Sequence, residues 1–89
     1  MFKIEYSNKF ESDLKKCHKR GYNLNAIKPI YEHLEQNGSV PRKYDPHILS
    51  GNYAGIWECH IKPDWLLLWL VDSDNTIKLL RTGTHSDLF

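Results

Sequence analysis

Long apolar runs are missing from this chain. The longest, Trp65 to Val71, has seven residues, about a third of what a membrane-spanning helix requires. The opening MFKIEYSNKF holds no apolar block of the kind that begins a secretory leader, so none is expected. Cysteine is scarce: Cys17 and Cys59 allow at most one bridge, and both are expected to be reduced packing residues of a cytoplasmic protein. Neither Cys-x₂-Cys nor His-x₃-His spacing occurs. The adjacent pairs Cys17-His18 and Cys59-His60 do not replace it, because neighbours on a strand point to opposite faces, so no metal and no cofactor is expected. No serine sits in a G-x-S-x-G setting, which argues against a serine hydrolase. Repeats and low-complexity segments are absent. A strong charge of one sign is also lacking, with a formal net charge of only +1.

What the chain does hold is 89 residues, 40% of them hydrophobic and 26% charged. That fits one soluble domain over residues 1–89, with a single small core. Three Trp, five Tyr and three Phe are generous for such a core. The charge is unevenly spread, with residues 1–43 at +4 and residues 44–89 at −3. The basic half contains KKCHKR, residues 15–20. Such a cluster on a helix can track phosphates, or it can simply be a solvated face.

FKIEY alternates apolar and polar residues and predicts a strand. Ser7 is placed to cap a helix whose stripe is Phe10, Leu14 and Cys17, ending near Gly21. A second helix is predicted from about Leu24 to Asn37, stopped by Gly38. Pro29 is acceptable there if Asn25 is the cap and the proline lies in the first turn. Residues 39–55 show no period and read as a long loop, a feature that is often functional. Three strands follow, at 56–61, 65–71 and 76–82, joined by the short turns 62–64 and 72–75. The order β-α-α-β-β-β predicts an α+β fold: an antiparallel meander with a helical hairpin on one face and an open cleft on the other.

Alternation places Trp57, Cys59 and Ile61 toward the helices and Ile56, Glu58 and His60 toward the cleft. In the last strand Ile77, Leu79, Arg81 and Gly83 share one side and Lys78, Leu80, Thr82 and Thr84 the other, with two polar groups on each, so its orientation is ambiguous. The turn brings Asp64 and Trp65 near His60, and His47 rides on the long loop. His47, His60, His85, Asp64 and Arg81 could therefore converge on one concave surface, flanked by Trp65 and Phe89. His18 and His33 are expected on solvated helix positions and are given no role. The convergent set suits cleavage of RNA through its own 2′-OH. One group takes that proton and another protonates the 5′-oxygen. Histidine serves either task, arginine grips the phosphate, and aromatic rings stack bases. Each residue also has a plainer reading. Asp64 could be turn chemistry, Trp65 core, Arg81 a rim ion pair, and Phe89 an anchor for the end of the chain.

HILSGNYAGIWECHIKPDWLLLWL followed by RTGTHSDLF resembles the YafQ branch of the RelE/ParE toxin superfamily. The specific parts are an H-x-L-x-G loop, an H-x-x-P-D-W hairpin and an R-x-G-[ST]-H-x-x-L-F tail. The resemblance covers nearly the whole chain and implies a single RelE-like toxin domain of a bacterial type II toxin–antitoxin system, acting as a ribosome-dependent mRNA endoribonuclease. By match of position it implies His47, His60, Asp64 and His85 as the catalytic set. His85 would be the general acid, His60 or Asp64 the proton acceptor, and His47 an assistant to either step. It implies Arg81 on the phosphate, and Trp65 and Phe89 at the cleft. Trp57 departs from the pattern, standing where the family often has a basic residue. Ribosome binding would then rest on Lys15, Lys16, Lys19, Arg20, Arg42 and Lys43. The implied partners are the ribosome, mRNA and an antitoxin that folds on binding, with the toxin alone a monomer and larger complexes forming with the antitoxin. The alternatives are a ParE-like gyrase inhibitor, or an inactive relative that only titrates antitoxin.

Overall fold

The computed structural model describes all of residues 1–89. The elements in chain order are β1 (Lys3–Tyr6), α1 (Asn8–Lys19), α2 (Lys28–Asn37), β2 (His47–Ile48), β3 (Trp57–Lys62), β4 (Trp65–Val71), β5 (Thr76–Gly83) and α3 (His85–Leu88). Short 3₁₀ turns lie at Leu24–Ile27, Arg42–Tyr44 and Gly51–Tyr53. The sheet runs β1-β5-β4-β3-β2. β1 is parallel to β5 and the remaining pairs are antiparallel. The apolar run Trp65–Val71 is the middle strand, as its two-sided hydrophobicity predicts.

Ser7 caps α1 by accepting the Phe10 N–H at 2.9 Å, a contact worth about 1 kcal/mol. Its hydroxyl also donates to the Leu80 carbonyl at 2.8 Å, which pins the start of α1 to β5. Phe10 and Cys17 are buried from this helix against the sheet. Full burial of a side chain as large as Phe10 contributes roughly 1.5–3 kcal/mol. Before α2 the capping residue is Asn23 rather than Asn25. Its side chain accepts the Asn25 N–H and opens the first 3₁₀ turn. Pro29 is the second residue of α2, where the missing N–H leaves no helical bond unmade. Gly38 ends α2 at φ 71°. The Phe2 ring lies so close to it that a Cβ there would overlap that ring.

Between helices and sheet lie Phe10, Ile27, Ile30, Leu34, Cys59, Leu67, Trp69, Ile77 and Leu79. Both cysteines are free and buried, and burial pushes the Cys59 thiol up to about 12. On the opposite face Leu66, Leu68 and Leu88 form a smaller cluster, joined by Leu49, Ile56 and Leu80. The long segment and the tail cover that part of the sheet. No helix is long and apolar enough to cross a membrane.

Three expectations are corrected. Residues 39–55 are not one irregular loop, because they contain two 3₁₀ turns and the edge strand β2, which pairs His47 with Glu58. The tail does not stay extended but forms the single-turn α3. In β5, Arg81 does not share a side with Leu79. The β4 register runs from Leu68–Arg81 to Trp69–Leu79, leaving Leu80 as an extra residue. Such a bulge inverts the alternation, so Leu79 and Thr82 are both buried toward the helices while Arg81 turns to the cleft side. Two leucines and two polar groups in one strand carry no period that signals this shift.

Candidate active site

The cleft face is a small grid set by register. One row across β3, β4 and β5 is His60, Leu66 and Gly83, and the next is Glu58, Leu68 and Arg81. β2 adds His47 beside Glu58. The tight turn Pro63-Asp64 closes the β3–β4 hairpin after a register shift at Ile61. After Gly83 the chain turns into α3 and brings His85 over that turn.

Three imidazoles therefore stand in a line. The His47 and His60 ring centres are 6.4 Å apart, and those of His60 and His85 are 5.8 Å apart. His60 Nδ1 lies 3.3 Å from the Pro63 carbonyl. A carbonyl only accepts, so Nδ1 carries the proton and Nε2 of the neutral ring is a free base. Asp45 and Glu58 carboxylates lie 3.8 and 3.9 Å from that Nε2, beyond hydrogen-bond range. Asp64 accepts both the His85 backbone N–H at 3.0 Å and its Nδ1–H at 2.6 Å. This fixes the tautomer and leaves Nε2 for proton exchange. His47 donates Nδ1–H to the Asp45 carbonyl at 3.0 Å and meets Glu58 Oε1 through Nε2 at 2.9 Å. Both nitrogens of His47 therefore face oxygens. Glu58 is only 5% exposed. It is the site residue that sequence reasoning placed on this face without giving it a role. A buried carboxyl needs a partner, and the signal available was its position two residues from His60.

The structure thus brings together His47, His60, Asp64 and His85, and adds Glu58. It does not bring Trp65 to the cleft: that ring is 4% exposed, packs on Tyr22 at 4.9 Å and donates Nε1–H to Thr82 at 2.9 Å within the core. The plainer reading of Trp65 is the correct one. Trp57 likewise stacks on Trp69 at 6.2 Å, on the side away from the histidines. Arg81 faces the cleft side, but its fork is taken by Asp13 of α1, with Nε at 2.7 Å and Nη2 at 3.2 Å. Asp13 also accepts the Thr82 N–H at 3.1 Å, a donor left free where β1 ends. Arg81 Nη1 makes no hydrogen bond within the molecule. Phe89 is exposed and meets Tyr53 edge-on at 5.1 Å, joining the tail to the Gly51–Tyr53 turn. Lys15, Lys16, Lys19, Arg42 and Lys43 are exposed. Lys43 lines, with Tyr44, Asp45, His60 and Lys62, an open hollow of about 410 Å³. Arg20 is not free, being paired with Asp87.

Asp64 and Asp87 are both held below the usual carboxylate range. For Asp64 the cause is the His85 backbone N–H and ring; for Asp87 it is the Arg20 fork and the Thr84 N–H. A carboxylate so depressed contributes stability that is complete above its unfolded pKa, 3.8, and is lost as the pH falls through the folded value. The tail is expected to stay docked down to about pH 4 and to loosen below it. The Leu88 methyl NMR signals in an acid titration check this; movement toward unfolded positions above about pH 5 would contradict it.

A small α+β domain carries on one face a row of imidazoles, each held by a carbonyl or carboxylate, an arrangement that can take up and release protons without a deep pocket. Residues 2–89 match the family model described as the bacterial toxin of type II toxin–antitoxin system, YafQ. The mRNA interferase toxin YafQ of Escherichia coli strain K12 is 36% identical over 87 residues, covering 97% of this chain and 94% of that protein. The crystal structure of YafQ from E. coli strain BL21(DE3) matches with a TM-score of 0.89 and 33% identity, over 100% of this chain and 99% of that one. YafQ in the crystal structure of the E. coli DinJ-YafQ toxin–antitoxin complex matches at 0.87 and 35% identity, over 99% and 97%. This chain belongs to the YafQ toxin family.

Proposed function

We propose that the protein is an mRNA interferase, the toxin of a type II toxin–antitoxin pair, that cuts RNA by metal-independent acid–base catalysis on the ribosome. The observation that carries this reading is the complementary tethering of two neighbouring imidazoles. His60 keeps Nε2 as a free base and His85 keeps Nε2 as a donor backed by Asp64, with 5.8 Å between ring centres.

His60 Nε2 removes the 2′-OH proton, and the resulting oxygen attacks the adjacent phosphorus. His85, entering doubly protonated, gives its Nε2 proton to the departing 5′-oxygen. Asp64 balances the charge of that ring and holds its orientation. It is committed to His85 through two contacts, so His60 is favoured over Asp64 as the proton acceptor. The Asp45 carboxylate, 3.8 Å from His60 Nε2, offers countercharge as that ring becomes cationic, and the Glu58–His47 pair stands behind it. Arg81 Nη1, steadied by Asp13, meets a non-bridging phosphate oxygen. Phe89 with Tyr53 supplies a stacking surface worth about 1–3 kcal/mol per base. Lys15, Lys16, Lys19, Arg42 and Lys43 track ribosomal phosphates. An antitoxin that folds on binding neutralises the toxin by covering these surfaces.

A pure gyrase binder has no use for this tethering. Expression without a partner is expected to arrest growth and to produce mRNA fragments with 5′-hydroxyl ends. Intact mRNA alongside DNA damage would overturn the reading in favour of a gyrase inhibitor.

A further inference from the structure

α3 has four residues, far too few to persist as a free helix. Yet it sets the position of His85. Its stability must come from what it touches, and most of those contacts pass through Asp87. Asp87 Oδ2 accepts the Thr84 N–H at 2.9 Å, and Thr84 Oγ accepts the Asp87 N–H at 3.1 Å, a reciprocal cap at the head of the turn. The outer edge of the same carboxylate is clasped by both arms of Arg20, with Nη1 at 2.5 Å and Nη2 at 2.8 Å. Asp87 can seat there only because Gly83 has no side chain, since a Cβ on Gly83 would stand 2.8 Å from Asp87 Oδ2.

Arg20 lies on the stripe of α1 that faces β5. Asp13, Cys17 and Arg20 fall at i, i+4 and i+7, and the first two are buried. α1 therefore grips the end of the chain twice, with opposite polarity: Asp13 on Arg81 and Arg20 on Asp87. The basic cluster at 15–20 is not uniform. Lys15, Lys16 and Lys19 project to solvent, while the Arg20 fork, whose planar geometry suits a carboxylate, is already satisfied within the molecule.

We propose that Arg20 is a positioning residue whose clasp on Asp87 fixes α3 so that His85 meets Asp64, and not an RNA contact. The kinetic part of this proposal rests on the endoribonuclease reading; the structural part does not. Arg20→Ala is expected to speed exchange of the His85 amide about tenfold while core amides such as Leu67 are unchanged. In ribosome-programmed cleavage, kcat is expected to fall roughly 10- to 100-fold with KM nearly constant. Lys19→Ala is expected to show the reverse, a raised KM with the His85 amide undisturbed. Asp87→Asn should reproduce Arg20→Ala, and the double variant should be no worse than either single one, because both remove the same contact. An unchanged His85 amide in Arg20→Ala, or a KM effect with additive losses in the double variant, would overturn the proposal. A wild-type protein that cuts no RNA would refute the nuclease reading alone, and the exchange measurement would still decide the role of Arg20.

Discussion

Replacing His85 with alanine is expected to slow RNA cleavage by about 10²–10⁴-fold, the usual worth of a positioned general acid or base. The 5′-oxygen is a poor leaving group unless protonated as the bond breaks, and in the proposed reaction His85 is its proton donor. The nearest imidazole, His60, is 5.8 Å away between ring centres and is already assigned to the opposite proton. The substitution should leave the fold intact, because the His85 side chain is about half exposed and the apolar anchor of α3 is Leu88. The backbone N–H that bonds Asp64 is retained in the variant. His85→Gln separates the two duties of the ring: an amide can still bond Asp64, but it cannot deliver a proton at neutral pH. It should therefore be nearly as inactive as alanine while keeping the tail ordered. Single-turnover cleavage on programmed ribosomes measures the chemical step. A loss smaller than about tenfold in both variants would remove His85 from the reaction.

His60→Ala is expected to cost a comparable factor, about 10²–10⁴-fold, for the complementary reason. Its Nε2 has no hydrogen-bond partner of its own, because the Pro63 carbonyl fixes Nδ1 as the donor and the carboxylates of Asp45 and Glu58 stay 3.8 and 3.9 Å off. The two histidines should differ in the limb of the pH profile that they control. The wild type should give a bell, rising as the base loses its proton and falling as the acid does. Loss of His60 should flatten the rising limb, and loss of His85 the falling one. Residual activity with the limbs exchanged would mean that the roles are reversed. A large effect of Glu58→Gln with none at His60 would move the base to the His47–Glu58 pair.

Much of the fold was legible because the periods are clean. The Ser7 cap, the Phe10–Cys17 stripe, the Gly38 stop and the two-sided apolar strand Trp65–Val71 each follow from one local rule, and the structure shows all four. The nearness of His60 and Asp64 was legible from strand alternation together with a tight turn, whereas the edge strand β2 and the turn α3 that seat His47 and His85 carry no local signal, and the family resemblance tied those two residues to the set. What stayed hidden depends on long-range pairing. The bulge at Leu80 changes which side Arg81 takes, and no residue near it marks the change. Asp13 looks like an ordinary helix-surface acid in the sequence. Its burial comes from meeting Arg81 and Thr82, 68 and 69 residues away. Arg20 reads as one more cation in a basic run, and only the folded tail shows that Asp87 has claimed it. Trp65 lies in the core and not at the cleft for a related reason. An aromatic beside a catalytic turn suggests a stacking platform, yet alternation from Leu67 and Trp69 already assigned it to the core.

In the proposed cleavage the RNA supplies its own nucleophile to the imidazole pair. The most direct test is ribosome-programmed cleavage of an mRNA carrying a single 2′-deoxynucleotide at the scissile position, compared with the all-ribose message. The substituted message is expected to bind as well and to stay uncut at that position, while the all-ribose message yields a 2′,3′-cyclic phosphate and a 5′-hydroxyl. Cleavage of the 2′-deoxy position at an undiminished rate would contradict this mechanism.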